Sequence, residues 1–307
     1  MEDYNKILES LSIKFTSLRN VKVLQPHKVF NFYDFENTLI LVHNGEISTE
    51  NGQVTAGQGD LMFIPAGKTI TISFGKGNFT ELQQEKYLVE KNKYVSYTKE
   101  RVPALNPEGS YSVLSFEAKI FDSVNFYSSL DIPPFLIKER PAIVNLILDT
   151  IKEEFTEMPG KERIKKCNTE KIVLDIFRYI LDNKIFIEKL ATNLNYFKDP
   201  RLIDIFNFIK TNLGGDLSNR VLANVANVSE DYVGQYFKSM TGINPQDYIE
   251  YQRMEKSVGL LRTTKKSIRE IGIEVGYKDT AYFCRRFKMM FGISAGKMRK
   301  RESLVRA

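Results

Sequence analysis

The chain repeats itself near its C-terminal end, which restricts that region to one folding unit used twice. Moved along by fifty residues, the segment 232–243 lays Tyr232 on Tyr282, Phe237 on Phe287, Lys238 on Lys288 and Met240 on Met290, with Gly242 on Gly292 and Ile243 on Ile293. Upstream the offset is forty-nine: Ser218 meets Ser267, Arg220 meets Arg269 and Val228 meets Tyr277. One residue has been added in the second turn. Matches of this length at a nearly constant offset mark an internal repeat rather than chance composition.

Each copy reads as helix, tight turn, helix. In the first, Ser218 caps a short helix carrying Val221, Leu222 and Val225, a turn falls at Asn227, and Ser229 caps a second helix with Val233, Phe237 and Met240 on one face. In the second, Ser267 is the cap, Ile268, Ile271 and Val275 are the apolar positions, and Gly276 supplies the positive φ of the turn. Asp279 then opens a helix whose apolar face is Phe283, Phe287 and Met290. Gly242 and Gly292 are the expected stops. Between the copies Pro245 begins a helix to about Leu261, roughly 25 Å long at 1.5 Å per residue. That length is of the order needed to hold two units on successive turns of one DNA face, about 34 Å apart. A plain helical bundle would also place these apolar residues in a core, but it explains neither the paired turns nor the charge.

The charge follows the repeat. Residues 201–307 carry 19 Lys and Arg against 11 Asp and Glu, while residues 1–200 carry 25 against 27. A basic module on a slightly acidic body points to a polyanion partner.

The run LSNRVLANVANVSEDYVGQYFKSMTGINPQDYI, followed by SIREIGIEVGYKDTAYFCRRFKMMFGISAGKMR, resembles the DNA-binding domain of AraC-family transcription regulators. The resemblance covers about the last hundred residues, with F-K-x-M-x-G-I present twice. It implies double-stranded DNA as partner, contact with RNA polymerase, activation more than repression, and a cytoplasmic, nucleoid-associated homodimer. Matched position by position, it puts base reading at Asp231, Gly234 and Gln235 in the first copy and at Thr280, Ala281 and Arg285 in the second. Phosphate contacts fall at Ser218, Lys238, Ser267, Arg286 and Lys288, of which Arg286 and Lys288 are alternatively plain solvent-facing cations. The chain departs from the family's larger or basic choices at two positions. Gly234 has no side chain to read with, and Asp231 accepts only from cytosine. Gln235 is able to pair with adenine, and Arg285 forks onto guanine. The first copy is therefore expected to read less than the second.

The rest of the chain has a different texture. Residues 1 to about 20 suggest an amphipathic helical start, with Ile7, Leu8 and Leu11 at helical spacing. From about Val21 to Phe121 the runs are short and β-like, separated by turns at Asn44-Gly45, Asn51-Gly52 and Gly75-Lys76-Gly77. The run GEISTENGQVTAGQGDLMFIPAGKTITI resembles the cupin-like sensor half of the same family. From about Pro133 to Asn195 the pattern is helical: Pro141 starts one helix with Ile143, Leu146, Ile147 and Ile151, and Asn168 or Thr169 caps another with Ile172, Val173, Ile176, Phe177 and Ile180. The resemblance assigns dimerisation to that pair; the alternative is that it closes the barrel's open side. Asp199-Pro200 opens the first helix of the DNA-binding part.

The expected fold is thus α+β. A cupin-like sensor barrel occupies 1–130, a helical linker and dimerisation segment 131–197, and an all-α double helix-turn-helix domain 198–307. Only two histidines, His27 and His43, are present, with no H-x-H pair, so no metal, cofactor or catalytic set is expected. Gly57-Gln58-Gly59 and Gly75-Lys76-Gly77 open no helix and read as hairpin turns rather than phosphate loops. The aromatics Phe30, Phe32, Tyr33, Phe35, Phe63 and Phe74 either line a small-molecule cavity or fill a core; the ligand residues are unknown. MEDYNK has no signal-peptide texture, no apolar run approaches a membrane span, and Cys167 and Cys284 have no paired spacing. The function expected is a regulator whose barrel senses a small molecule or mediates dimerisation. The rivals are a cupin-type enzyme with a DNA-binding tether, and a constitutive regulator without ligand.

Overall fold

The computed structural model describes residues 4–5, 8–9, 11–34, 36–49, 52–98, 106–120, 124–130, 132–190, 199–241, 244–291 and 293–299. The chain divides into two compact units, one of Leu8–Lys189 and one formed mainly by the chain from Leu190 onward. Ile7, Phe35, Asn51, Gly242, Gly292 and the boundary expected near residue 197 lie outside the described residues.

Among the described residues the first unit holds twelve strands: β1 Leu11–Val23, β2 His27–Tyr33, β3 Asn37–Asn44, β4 Ile47–Thr49, β5 Val54–Ala56, β6 Leu61–Ile64, β7 Thr69–Phe74, β8 Thr80–Gln83, β9 Val95–Thr98, β10 Ser110–Ile120, β11 Val124–Asn125 and β12 Phe135–Ile137. Helices α1 Gln84–Glu90, α2 Phe126–Ser129, α3 Pro141–Glu154 and α4 Lys161–Asp182 also belong to it. One sheet runs β12-β6-β3-β10-β1-β9, with β11 beside β10, and the other runs β5-β4-β7-β2-β8. Among the described residues neither sheet closes on itself. The expected barrel is an open pair of sheets sharing one core, into which β3 sends Ile40 and Val42, β6 Met62 and Ile64, and β7 Ile70, Ile72 and Phe74.

Strand β3 shows why the helices are there. Its residues Asn37–Val42 are all buried, so both of its faces are covered. Phe63 of β6 and Phe116 of β10 pack on Tyr127 of α2 at 4.7 and 6.5 Å, and Phe126 packs on Phe177 of α4 at 5.8 Å. The apolar stripe Ile143, Ile147 and Ile151 of α3 and Ile172, Val173, Ile176, Phe177 and Ile180 of α4 is buried within this chain. Leu146 is only half-buried.

Three local expectations are corrected. Residues 11–20 form a strand rather than a helix: β1 pairs with β10 from Leu11↔Ile120 to Lys22↔Ser110, and this long ladder overrides the weak helical spacing of the start. Helix α4 begins at Lys161, two turns before the expected cap. There Lys165, with 4% of its side chain exposed, bonds Glu154 and Glu162 at 2.8 and 2.7 Å, and Thr169 Oγ1 donates to the Lys165 carbonyl at 2.8 Å. Thr169 therefore sits inside the helix, satisfied by its own backbone. Finally, Gly75-Lys76-Gly77 is no hairpin, because β2 lies between β7 and β8. Gly57-Gln58-Gly59 is a tight turn, with Asp60 N–H donating to the Gly57 carbonyl at 3.0 Å.

The two histidines are parts of separate packing arrangements. His43 Nε2 lies 2.6 Å from Ser112 Oγ, which donates to Asn20 Oδ1 at 2.7 Å. His27 is fully buried, stacked on Phe74 and Tyr87 with centroids 5.0 and 5.3 Å away. Its Nδ1 bonds the Gln25 carbonyl at 2.8 Å. Burial pulls its pKa below 6.5, opposed by that bond. The folded state thus holds the ring neutral while the unfolded state takes up a proton. Stability from this group is complete above pH about 6.5 and is lost as pH falls below it. Thermal unfolding from pH 7.5 to 5 is expected to show a falling midpoint, less steep in His27→Phe. Identical slopes in the two chains would remove His27 from this account.

Candidate nucleic-acid interface

The second unit is two copies of a three-helix element. Helices α5 Pro200–Thr211, α6 Asn219–Ala226 and α7 Glu230–Thr241 form the first; α8 Pro245–Thr263, α9 Ile268–Glu274 and α10 Thr280–Phe291 form the second. Each copy opens on a turn-forming residue followed by proline, Asp199-Pro200 and Asn244-Pro245.

The two turns match. Asn227 takes φ 53° and Gly276 φ 95°, the left-handed conformation at repeat-equivalent positions. In both, the next residue's N–H reaches back five residues, Val228 to the Ala223 carbonyl at 3.0 Å and Tyr277 to that of Gly272 at 2.8 Å. At Gly276 a Cβ would meet the Leu213 carbonyl oxygen and the Arg253 guanidinium at 2.8 Å, so space as well as φ requires glycine. Ser267 forms a full capping box with Glu270, whereas Ser218 makes no side-chain capping bond and its N–H donates to Asp216 Oδ1 at 2.9 Å.

Behind the turns lie aromatic cores. Phe206 and Phe237 of the first copy meet Tyr248 of α8 at 5.2–5.7 Å. Phe283 and Phe287 are 5.8 Å apart, and Phe287 and Phe291 4.6 Å, in the second. Val233, Phe237, Phe283 and Phe287 are fully buried as expected. Met240 and Met290, expected in the core, are half-buried, and Tyr236 and Phe291 fill it instead.

The opposite faces of α7 and α10 carry the proposed reading positions. Asp231, Gln235 and Lys238 are exposed on α7, as are Ala281, Arg285 and Lys288 on α10; Gly234 and Thr280 are half-buried. A Cβ on Gly234 would lie 3.5 Å from Asn219 Nδ2, an ordinary contact, so neither space nor backbone conformation requires glycine there. Two further residues stand on these faces: Tyr232 and Tyr282, 47% and 46% exposed. The repeat had paired them in sequence without indicating that both would be exposed. Arg285 stacks over the Tyr282 ring at 6.0 Å. Arg286, expected at a phosphate or in solvent, instead turns its Nε and Nη2 onto the two carboxylate oxygens of Glu250 in α8. The hydrogen bonds to Glu250 raise the Arg286 pKa further.

Helix α8 joins the copies through one polar stripe. Gln246 Nε2 donates to the Leu217 carbonyl at 2.9 Å. Arg253 donates to the Leu213 and Gly215 carbonyls, both at 2.9 Å, and lies over the Tyr277 ring at 5.9 Å. Glu250 lies between them in sequence. Residues 246, 250 and 253 follow i, i+4, i+7 spacing and so share one face.

Residues 222–301 match a family described as a helix-turn-helix domain. The Tn10 transposon TetD protein of Escherichia coli is 33% identical over 97 residues, which are 32% of this chain and 70% of that protein. The chain belongs to the AraC family of transcription regulators. The lactose operon transcription activator of Staphylococcus xylosus is 33% identical over 97 residues, 32% of this chain and 35% of that protein. The match thus spans about a third of that relative's length. ToxT from Vibrio cholerae O395, a solved structure, aligns with 96% of this chain and 99% of its own at a TM-score of 0.52 and 12% identity. That likeness is one of fold. The AraC-family helix-turn-helix pair of this chain is therefore the one whose geometry is described above.

Proposed function

We propose that the chain is a sequence-specific DNA-binding transcription activator. Two exposed helices, α7 and α10, read bases, and the first unit senses a small molecule or mediates dimerisation. The observation that carries the reading is the matched pair of helix-turn-helix units held by one stripe of α8. The assigned base readers are Asp231, Gly234, Gln235, Thr280, Ala281 and Arg285, with Arg285 the strongest because its fork matches guanine. Ser218, Lys238, Ser267 and Lys288 are assigned to phosphate. Activation and RNA polymerase contact follow from the family and from the activator among the relatives. The three-part division 1–130, 131–197 and 198–307 belongs to the same reading. The full chain is expected to bind duplex DNA with log affinity falling linearly as log salt rises. Absence of binding, or binding indifferent to salt, contradicts it.

Dimerisation is assigned to the outward face of α4. The stripe that faces inward is already covered, but Ile164 is 43% exposed and Cys167 is exposed one turn on. A short bismaleimide is expected to link two chains through Cys167, with loss of the product in Cys167→Ser and retention in Cys284→Ser. A chain that sediments as a monomer at micromolar concentration, with and without DNA, contradicts this assignment.

A further inference from the structure

We propose that the Glu250–Arg286 ion pair sets the pose of α10 against α8 and so determines sequence discrimination, making Arg286 a positioning residue and not a DNA contact. This rests on the DNA-binding reading above.

The repeat itself supports the inference. Position 286 is the equivalent of position 236 at the fifty-residue offset. Tyr236 is 3% exposed, and Arg201 of α5 lies 4.8 Å over its ring. Arg201 is in turn held by Asp199, at 3.1 Å through Nε and 2.7 Å through Nη2. In both copies, then, this position ties the reading helix to the first helix of its own copy, once through a cation on an aromatic ring and once through an ion pair. The residue types differ between the copies, while the tie is present in both.

Geometry separates Arg286 from its neighbour. Successive helical residues are about 100° apart, so Arg286 lies well round the helix from Arg285. Phe283 and Phe287, three before and one after it, are fully buried. Position 286 therefore sits on the flank of the core face, towards α8. The side chains of Arg286 and Glu250 are 31% and 19% exposed, which makes the pair a partly desolvated one. A bidentate fork fixes direction as well as distance. Because Glu250 shares its stripe with Gln246 and Arg253, which bind the first copy, the same face of α8 relates α10 to both copies. Releasing the fork lets α10 turn, and Arg285 then leaves its base while the phosphate contacts assigned off α10, at Ser218, Lys238 and Ser267, are kept.

The test uses the full chain, a duplex selected by it from a random pool, and a scrambled duplex. Glu250→Gln and Arg286→Gln are each expected to weaken the selected duplex roughly tenfold, within the range of pairwise couplings. The scrambled duplex should bind as before, with the salt slope unchanged. The double variant should be no worse than either single one, and the reversal Glu250→Arg with Arg286→Glu should recover most of the loss. Arg286→Lys, which keeps the charge but not the fork, should fall between. A phosphate contact behaves differently: Arg286→Gln weakens both duplexes alike and lowers the salt slope by about one, while Glu250→Gln tightens both. That result overturns the inference, as does an unchanged preference in both single variants whose folding is verified by circular dichroism. A parent chain that shows no preference for any duplex overturns the DNA-reading function itself.

Discussion

Phe287→Ala is expected to remove about 3–5 kcal/mol from the second unit, the range for truncating a buried phenylalanine. The ring is fully buried and joins Phe283 to Phe291. A domain has only about 5–15 kcal/mol in total, so the second copy loses much of its margin. In urea, the transition of the second unit should move to lower concentration while that of Leu8–Lys189 stays in place. Sequence-specific DNA binding should fall with it, although α7 is untouched. Met290→Ala should be much milder, since Met290 is half-buried. Equal losses in the two variants would mean that the aromatic row is not the core of this copy.

Arg285→Ala is expected to weaken the selected duplex by about 1–3 kcal/mol and to relax preference at one or two base pairs. The side chain is exposed on the face opposite Phe283 and Phe287, and its guanidinium is steadied over Tyr282. Lys288→Ala should weaken all sequences alike, since an exposed ammonium acts as a point charge towards phosphate. If Arg285→Ala lowers selected and scrambled duplexes by the same factor, Arg285 is a phosphate contact and the reading face is misassigned.

The second unit was largely legible in the sequence because its information is local and written twice. The turn at Gly276, the caps at Ser267 and Asp199, and the cores around Phe237 and Phe287 all follow from spacing within a few residues. What escaped was set by partners distant in the chain. Glu250 and Arg286 are thirty-six residues apart, and nothing in CRRFK marks which arginine turns inward. The first residues of β1 were misread for the same reason, since Leu11 finds its partner at Ile120. The open pairing of the sheets, with β2 parallel to β8 and set between β7 and β8, has no local signature. The early start of α4 depends on Lys165 reaching Glu154 in another helix. The apolar faces at 141–180 are legible as helical, but their sequence leaves open whether a second chain or their own unit covers them, and the structure buries them within this chain.

The most direct test is selection of duplexes by the full chain from a random pool, followed by footprinting of the winners. Two recognition helices held by α8 predict two protected half-sites on one face of the DNA, about 10–10.5 base pairs apart centre to centre. The half-site under α10 should be the more sharply defined, with a guanine that loses its preference in Arg285→Ala. A single compact site, or a pool that emerges without enrichment, would contradict the account.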